Sequence, residues 1–204
     1  MNSRLLILTM GAAALGLSAC SKEPSKDNAS TQLTLHEIMK DQVDKHADEL
    51  WEETNPAIGD AAGLDPAKMD DARWAKTIEL ATKVQDAANQ IAALDPIIAV
   101  KPGVKIADED VPFGDSAESV QANIDKDPEG LRNFANTLAN HMGELIAAAK
   151  VKDAAKAGPL IDQLDGVCES CHLEFWYPSQ KDLVEKIRSE GGDPELDPKK
   201  QKKS

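Results

Sequence analysis

Three residues of this 204-residue chain have the types and the spacing that hold a haem covalently. They are Cys168, Cys171 and His172, in the run Cys-Glu-Ser-Cys-His. Two thiols three residues apart lie on the same side of a helix, so both can add to the vinyl groups of one porphyrin. The histidine that follows is then held against the porphyrin, where its imidazole can bind the iron. The pattern predicts one covalently bound c-type haem, with His172 as the proximal iron ligand.

Two other uses of a Cys-x-x-Cys pair find less support in the sequence. A thioredoxin-like redox pair is expected beside a βαβ pattern. A cysteine-rich zinc site needs a second pair of Cys or His ligands, which the chain lacks. Covalent haem is therefore the preferred interpretation.

The third cysteine, Cys20, follows a secretory leader. Arg4 supplies a basic start, and the apolar run behind it is too short to span a membrane as a mature helix and ends in small residues, so residues 1–19 are predicted to be cleaved. Leu-Ser-Ala-Cys, ending at Cys20, resembles a bacterial lipobox, in which the cysteine is lipidated and becomes the first residue. The alternative is an ordinary signal cleavage that leaves a spare thiol. The lipobox implies a lipid anchor at the periplasmic face of a membrane, and Ser21 favours the outer membrane.

The composition limits the classes of partner. The formal net charge is −13, with 36 acidic and 23 basic residues, and the basic residues are scattered rather than clustered. This excludes a nucleic-acid-binding surface and favours a redox partner with a basic docking patch. Aromatic residues make up only 3% of the chain. A core built mainly from alanine would be thin, and a buried porphyrin would supply much of the missing apolar surface.

Start and stop signals predict four amphipathic helices. A capping box at Thr34 and Glu37 begins the first, and Asp127 followed by Pro128 begins the third. The predicted ranges of the first three helices are 34–55, 70–95 and 127–149, with a short helix over 116–125 and an irregular crossover over 96–115 that is rich in proline and glycine. The fourth helix is predicted from about Pro159 to Phe175, and an extension back to Asp153 across a kink at Gly158-Pro159 is left open. The predicted organisation is a leader at 1–19, a lipidated Cys20 and flexible tether at 20–33, a helical domain at 34–177 and a charged, disordered tail at 178–204. Within that tail, residues 181–187 favour a short amphipathic helix.

Four such helices with a haem attached to the last one resemble the class II c-type cytochromes, which are cytochrome c′ and its low-spin, methionine-ligated relatives. The resemblance covers roughly residues 35–175. It rests on the segment from Gly166 to Phe175, which carries the two cysteines and the histidine, and on the Asp-Pro-Glu-Gly-Leu start of the third helix. It implies an all-α fold, an antiparallel four-helix bundle with covalently bound haem on the C-terminal helix. The chain departs from cytochromes c′ where Trp176 and Tyr177 replace the usual basic residue, and in its longer C-terminus.

The same resemblance implies where a second axial ligand would lie. Class II cytochromes carry it on the first helix, and the Ile-Met-Lys-Asp segment around Met39 matches the methionine-bearing version. A thioether favours ferrous iron, so His172 and Met39 together imply a low-spin electron carrier. The alternatives are that Met39 is only a core residue, that His36, His46 or His141 binds the iron, or that the site is open. An open, five-coordinate site would bind NO or CO, as in cytochrome c′.

Several aromatic residues are candidates for contacts with the haem, although core packing would explain them equally well. They are Trp51, Trp74, Phe134 and Phe175, while Trp176 and Tyr177 are candidates to close the open end of the bundle. We do not expect an enzyme, because a peroxidase-like site needs a distal His/Arg pair and no arginine after the leader is locally paired with a histidine. Class II relatives are often dimers, which leaves a homodimer open.

Overall fold

The computed structural model describes residues 32–59, 63–107, 109–111 and 114–189. Over these residues the chain forms helices joined by turns and irregular segments, and no β-strand is present, only an isolated antiparallel bridge between Ile58 and Leu64. The predicted all-α class is therefore confirmed. The predicted leader, the lipidation site at Cys20, most of the tether and the tail beyond Ser189 lie outside the described residues.

The helical elements follow the predicted order. They are α1 (Leu35–Ile38), α2 (Lys45–Thr54), α3 (Asp71–Ala92), α4 (Ala117–Lys126), α5 (Pro128–Lys150), α6 (Ala154–Phe175) and α7 (Lys181–Ser189). A π-helical segment, Met39–Asp44, joins α1 to α2, so these three pieces correspond to the first predicted helix. The second, third and fourth predicted helices are α3, α5 and α6. Short 3-10 turns occur at Asn55–Ala57, Pro66–Lys68 and Pro178–Gln180.

The predicted helix starts are confirmed by their hydrogen bonds. The Thr34 hydroxyl accepts a hydrogen bond from the backbone N–H of Glu37 at 3.3 Å, and the Glu37 carboxylate accepts one from the N–H of Thr34 at 2.9 Å. The carboxylates of Asp70, Asp127 and Asp153 each accept from the N–H of the third residue of α3, α5 and α6, respectively. These caps satisfy backbone donors that a helix cannot pair internally.

Helix α3 lies against both α2 and α5, and α5 also packs on α6. Alanines on α3, among them Ala81, Ala87 and Ala88, are fully buried. Their small side chains let neighbouring helices approach closely. Ile78 of the same helix is only half-buried and packs against this core. The Trp51 indole N–H of α2 donates a hydrogen bond to the Ile161 carbonyl of α6 at 3.5 Å.

The crossover between α3 and α4 is irregular, as predicted, and it is attached to the start of α1. The backbone N–H groups of Leu35 and His36 donate to the carbonyls of Ile98 and Ala99 at 2.8 and 2.9 Å. From α4, the Gln121 side chain accepts from the Ala99 N–H at 2.7 Å and also donates to a crossover carbonyl. The crossover therefore fixes the N-terminus of the helix that carries Met39.

Helix α7 lies within the predicted charged tail at residues 178–204 and covers the amphipathic helix predicted at residues 181–187. It is held to α6 by ion pairs between Lys181 and Glu174, at 2.7 Å, and between Arg188 and Glu169. In the part of the chain that the structure describes, no helix combines the length and the apolar character needed to cross a bilayer.

Candidate cofactor site

Helix α6 presents the Cys-x-x-Cys-His residues near its C-terminal end. It begins at the Asp153 cap and remains helical through Pro159. Leu160, Leu164 and Phe175 of this helix are buried. The two cysteines and the histidine, by contrast, are only half-buried, because they face a cavity instead of the close-packed core.

This cavity has a volume of about 480 Å³, within the usual range for small-molecule sites. It brings together the four residues that the sequence analysis assigned to the haem: Met39, Cys168, Cys171 and His172. Met39 comes from the first helical element and the other three come from α6, so the first and the sixth α-helical regions meet at one site. Most of the remaining wall is apolar and comes from α1, α3, α5, α6 and the crossover, through Leu35, Ile91, Ile106, Leu131, Phe134, Ala135, Leu138 and Val167.

The π-helical segment determines which residues of the first element face the cavity. Both Met39 and Asp44, its first and last residues, line the wall. In a regular α-helix, side chains five residues apart point in directions that differ by about 140°. The wider π turn, with its i→i+5 hydrogen bonds, brings them towards one side. Single-turn π segments occur often at functional sites.

Only one of the three alternative histidine ligands lies at this cavity. His36 lines it together with Met39. The His46 ring is 3.3 Å from a carboxylate oxygen of Glu49 and is not part of the wall. His141 Nε2 lies 2.7 Å from the Leu160 carbonyl oxygen, and His141 is not part of the wall either.

The two thiols lie in surroundings that suppress thiolate formation. Burial raises the pKa of Cys168 to about 11 and that of Cys171 to about 12, and neighbouring negative charges add to the effect. Neither cysteine forms a disulfide. Reactive redox cysteines have the opposite character, with a pKa lowered by a helix N-terminus or a nearby cation. Here both thiols lie late in α6, so a thioredoxin-like redox pair is disfavoured.

The His172 ring is surrounded by side chains that keep it neutral and restrict its position. Burial lowers its pKa below 6.5, while the nearby carboxylates of Asp44, Asp165 and Glu169 act in the opposite direction. Neutral imidazole is the form that binds a metal. The Tyr177 ring meets the His172 ring edge-on at 5.7 Å, and the Trp176 ring lies 6.4 Å away. Both aromatic side chains also line the cavity.

A second cavity, also of about 480 Å³, borders the first on the His172 side. Asp44, Cys168, His172 and Tyr177 line both. Burial raises the pKa of Asp44, an effect that His172 partly opposes. The second cavity is otherwise formed by the π-helical segment, α2, α6, the last 3-10 turn and α7, with Trp51 in its wall.

The aromatic candidates divide between the cavities and the core. Phe134 lines the first cavity, and Trp51 lines the second. Trp74 and Phe175 are buried and line neither. Phe175 packs edge-on against Phe134, with ring centroids 6.0 Å apart, and so supports the cavity wall from behind.

Sequence reasoning missed three charged residues of the first cavity: Lys40, Asp44 and Lys105. Lys40 adjoins Met39 in sequence, which was a usable signal. Asp44 was hidden because a regular helix would turn it away from Met39. Lys105 had no sequence signal, because the path of the crossover brings it to the site.

The side chains that converge here suit a haem. Within the described residues, no group of three or more His, Cys, Asp or Glu side chains is arranged to hold a metal ion. What the cavity offers is two thiols, an imidazole and a thioether in a largely apolar wall. A porphyrin supplies four nitrogen ligands itself and takes only attachment points, axial ligands and apolar contacts from the protein. Comparisons of the chain with protein-family models, curated proteins and solved structures gave no match.

Proposed function

We propose that this chain is a membrane-anchored, periplasmic c-type cytochrome of the class II type that acts in electron transfer. Its haem would be bound through thioether bonds to Cys168 and Cys171, with His172 and Met39 as axial ligands. The observation that carries the proposal is that Met39, far from the other three residues in sequence, lines one cavity with them. The pKa values of the thiols support attachment over redox chemistry.

Bound haem would supply one-electron exchange between Fe(III) and Fe(II), and the protein would make or break no bond. Its residues would set the properties of that exchange. The neutral imidazole of His172 is ready to bind iron, and the Met39 thioether favours the ferrous state. Leu131, Phe134 and Leu138 of α5 would exclude water from the macrocycle. Because both axial ligands lie on packed helices, their positions would change little between the two oxidation states.

The packing of the helices is compatible with an antiparallel four-helix bundle. The first helical element, α3, α5 and α6 would be its members, with α4 as an additional short helix in the long connection. Neighbour contacts join α2 to α3, α3 to α5, and α5 to α6. The hydrogen bond from Trp51 to the Ile161 carbonyl joins the first member to the last. Such a bundle would hold a cofactor between facing helices.

The membrane anchor is proposed from the sequence. The leader at 1–19 and the lipobox-like segment ending at Cys20 support export and lipidation, with the outer membrane favoured. Covalent c-type haem is assembled outside the cytoplasm, so export and haem attachment agree. The net charge of −13 supports a redox partner with a basic docking surface.

Visible spectra of the haem-loaded protein test the proposal. We expect a sharp, resolved α band in the reduced state and no change on addition of CO, because a stable second axial ligand blocks the iron. Cys168→Ala with Cys171→Ala should abolish covalent retention of haem under denaturing conditions. A broad high-spin spectrum that shifts with CO would instead support the gas-binding alternative. A chain that acquires no covalent haem would reject both functions.

Met39→Leu tests the assigned ligand directly. We expect a high-spin, CO-binding haem that remains covalently attached, because leucine keeps the apolar volume but lacks a donor atom. Met142→Leu is the matched control, since Met142 is fully buried on α5 and does not line the cavity. Its spectrum should match that of the wild type. An unchanged spectrum in Met39→Leu would remove Met39 from the iron site.

A further inference from the structure

Charges are distributed unevenly around the first cavity. Its one carboxylate, Asp44, lies where the first cavity meets the second, beside His172. Lys40 of the π-helical segment and Lys105 of the crossover line the first cavity only. Among the described residues these are the only lysine or arginine side chains in that wall, and both residues are exposed. The two cations therefore lie on the part of the wall that is not shared with the second cavity.

We propose that Lys40 and Lys105 bind the two propionate carboxylates of the haem, an inference that rests on the proposed function. In a porphyrin of the haem type, the vinyl groups that add to thiols and the two propionates occupy opposite edges. Attachment at Cys168 and Cys171 therefore directs the carboxylates away from the cysteines. Carboxylates need charged partners or water when the rest of their surroundings is apolar.

Lysine side chains suit this position at the mouth of an apolar cavity. The aliphatic stem can lie along the apolar wall while the ammonium group stays in water at the rim. An ammonium group also has three donors, so it can bind one carboxylate without giving up another. Lys105 already contacts both carboxylate oxygens of Asp110, at 2.8 and 2.9 Å. Because that pair is largely exposed it is weak, and a propionate could replace Asp110 or share Lys105 with it.

The crossover is anchored on the side of the cavity where Lys105 lies. The carbonyls of Ile98 and Ala99 accept hydrogen bonds from the start of α1, and Lys101 forms an ion pair with Glu37 of α1. These contacts connect the segment before Lys105 to the helical element that carries Met39 and Lys40. The two lysines are thus presented by one connected part of the structure. The crossover would then act as part of the cofactor site as well as a link between helices.

The reduction potential of the haem-loaded protein tests this inference at low ionic strength. Lys40→Gln and Lys105→Gln should each lower the potential, and the double variant should lower it further. A cation beside a propionate disfavours Fe(III), so its removal stabilises the oxidised state. Lys45→Gln and Lys126→Gln are matched controls, because they make the same charge change at exposed residues outside the cavity wall. Their potentials should shift less, and added salt should reduce all the shifts.

Equal shifts in the four single variants would overturn the assignment, since they would report only the change in net charge. No shift in Lys40→Gln and Lys105→Gln would overturn it too. Covalent attachment and the low-spin spectrum are measured on the same samples. Absent haem would reject the proposed function together with this inference. A normally loaded, low-spin protein with equal shifts would reject only the role of the two lysines.

Discussion

The thiols of Cys168 and Cys171 should react slowly with a disulfide reagent while the apoprotein is folded, and faster when it is unfolded. Raising the pKa from 9.0 to about 11 for Cys168 lowers its thiolate fraction at neutral pH about 100-fold. For Cys171, with a pKa of about 12, the decrease is about 1000-fold. A thiolate of higher pKa is also a better nucleophile, which raises the rate again by about 8-fold for Cys168 and about 20-fold for Cys171. The net slowing is about 10-fold for Cys168 and about 50-fold for Cys171.

The assay follows the coloured thiol released by an aromatic disulfide. Each cysteine is measured alone, in chains where serine replaces Cys20 and the other haem-binding cysteine. Rates are compared in buffer and in concentrated urea, and the ratio of the two rates for each thiol is the quantity predicted above. Restricted access in the folded state would slow the reaction further, so the predicted ratios are lower limits. A folded chain that reacts as fast as the unfolded one, or faster, would refute the reasoning.

If the chain is exported and loaded with haem as proposed, slow thiols bear on the order of those two events. A Cys-x-x-Cys pair that ionises easily would oxidise to a disulfide and then be unable to add to vinyl groups. Thiols that stay protonated in the folded chain resist that reaction. Burial of Cys168 and Cys171 would therefore preserve the reduced pair for haem attachment.

Two further predictions concern the stability of the apoprotein. Asp44→Asn should be more stable than the wild type at neutral pH. The raised pKa of Asp44 means that the folded state favours the protonated carboxyl group. Its contribution to folding stability is therefore complete below pH 3.8 and is lost as the pH rises past the raised pKa. Urea unfolding of the variant and the wild type at neutral pH and below pH 3.8 checks this prediction. A variant that is less stable than the wild type at neutral pH would contradict it. Leu164→Ala, on α6, should lose about 2–5 kcal/mol of unfolding free energy, because Leu164 is fully buried. Val151→Ala, at a residue that is 74% exposed, should change by less than about 0.5 kcal/mol.

Helix boundaries were predictable because local chemistry decides them. The reciprocal hydrogen bonds of Thr34 and Glu37 involve residues three apart and need no tertiary contact. The same is true of Asp127 and the proline that follows it, at the start of α5. The placement of Cys168 and Cys171 on one side of α6 followed from their spacing alone. Convergence of Met39 with these cysteines depends on tertiary packing, and only the family resemblance suggested it.

The remaining features depend on contacts between distant segments. The π-helical segment Met39–Asp44 is not encoded in any local motif, since its residues would also suit an α-helix. Lys105 reaches the cavity because hydrogen bonds attach the crossover to α1 and α4. Periodicity predicts the face of a helix, but it does not predict the path of an irregular segment over another element.

The volume of the first cavity argues that it binds a ligand and is not a packing defect. Protein interiors are close-packed, and they contain few voids larger than a water molecule. A chain with 3% aromatic residues has few large side chains to fill such a space. A porphyrin would fill this space with one rigid apolar body. A bound porphyrin would therefore account for both the scarcity of aromatic residues and the size of the cavity.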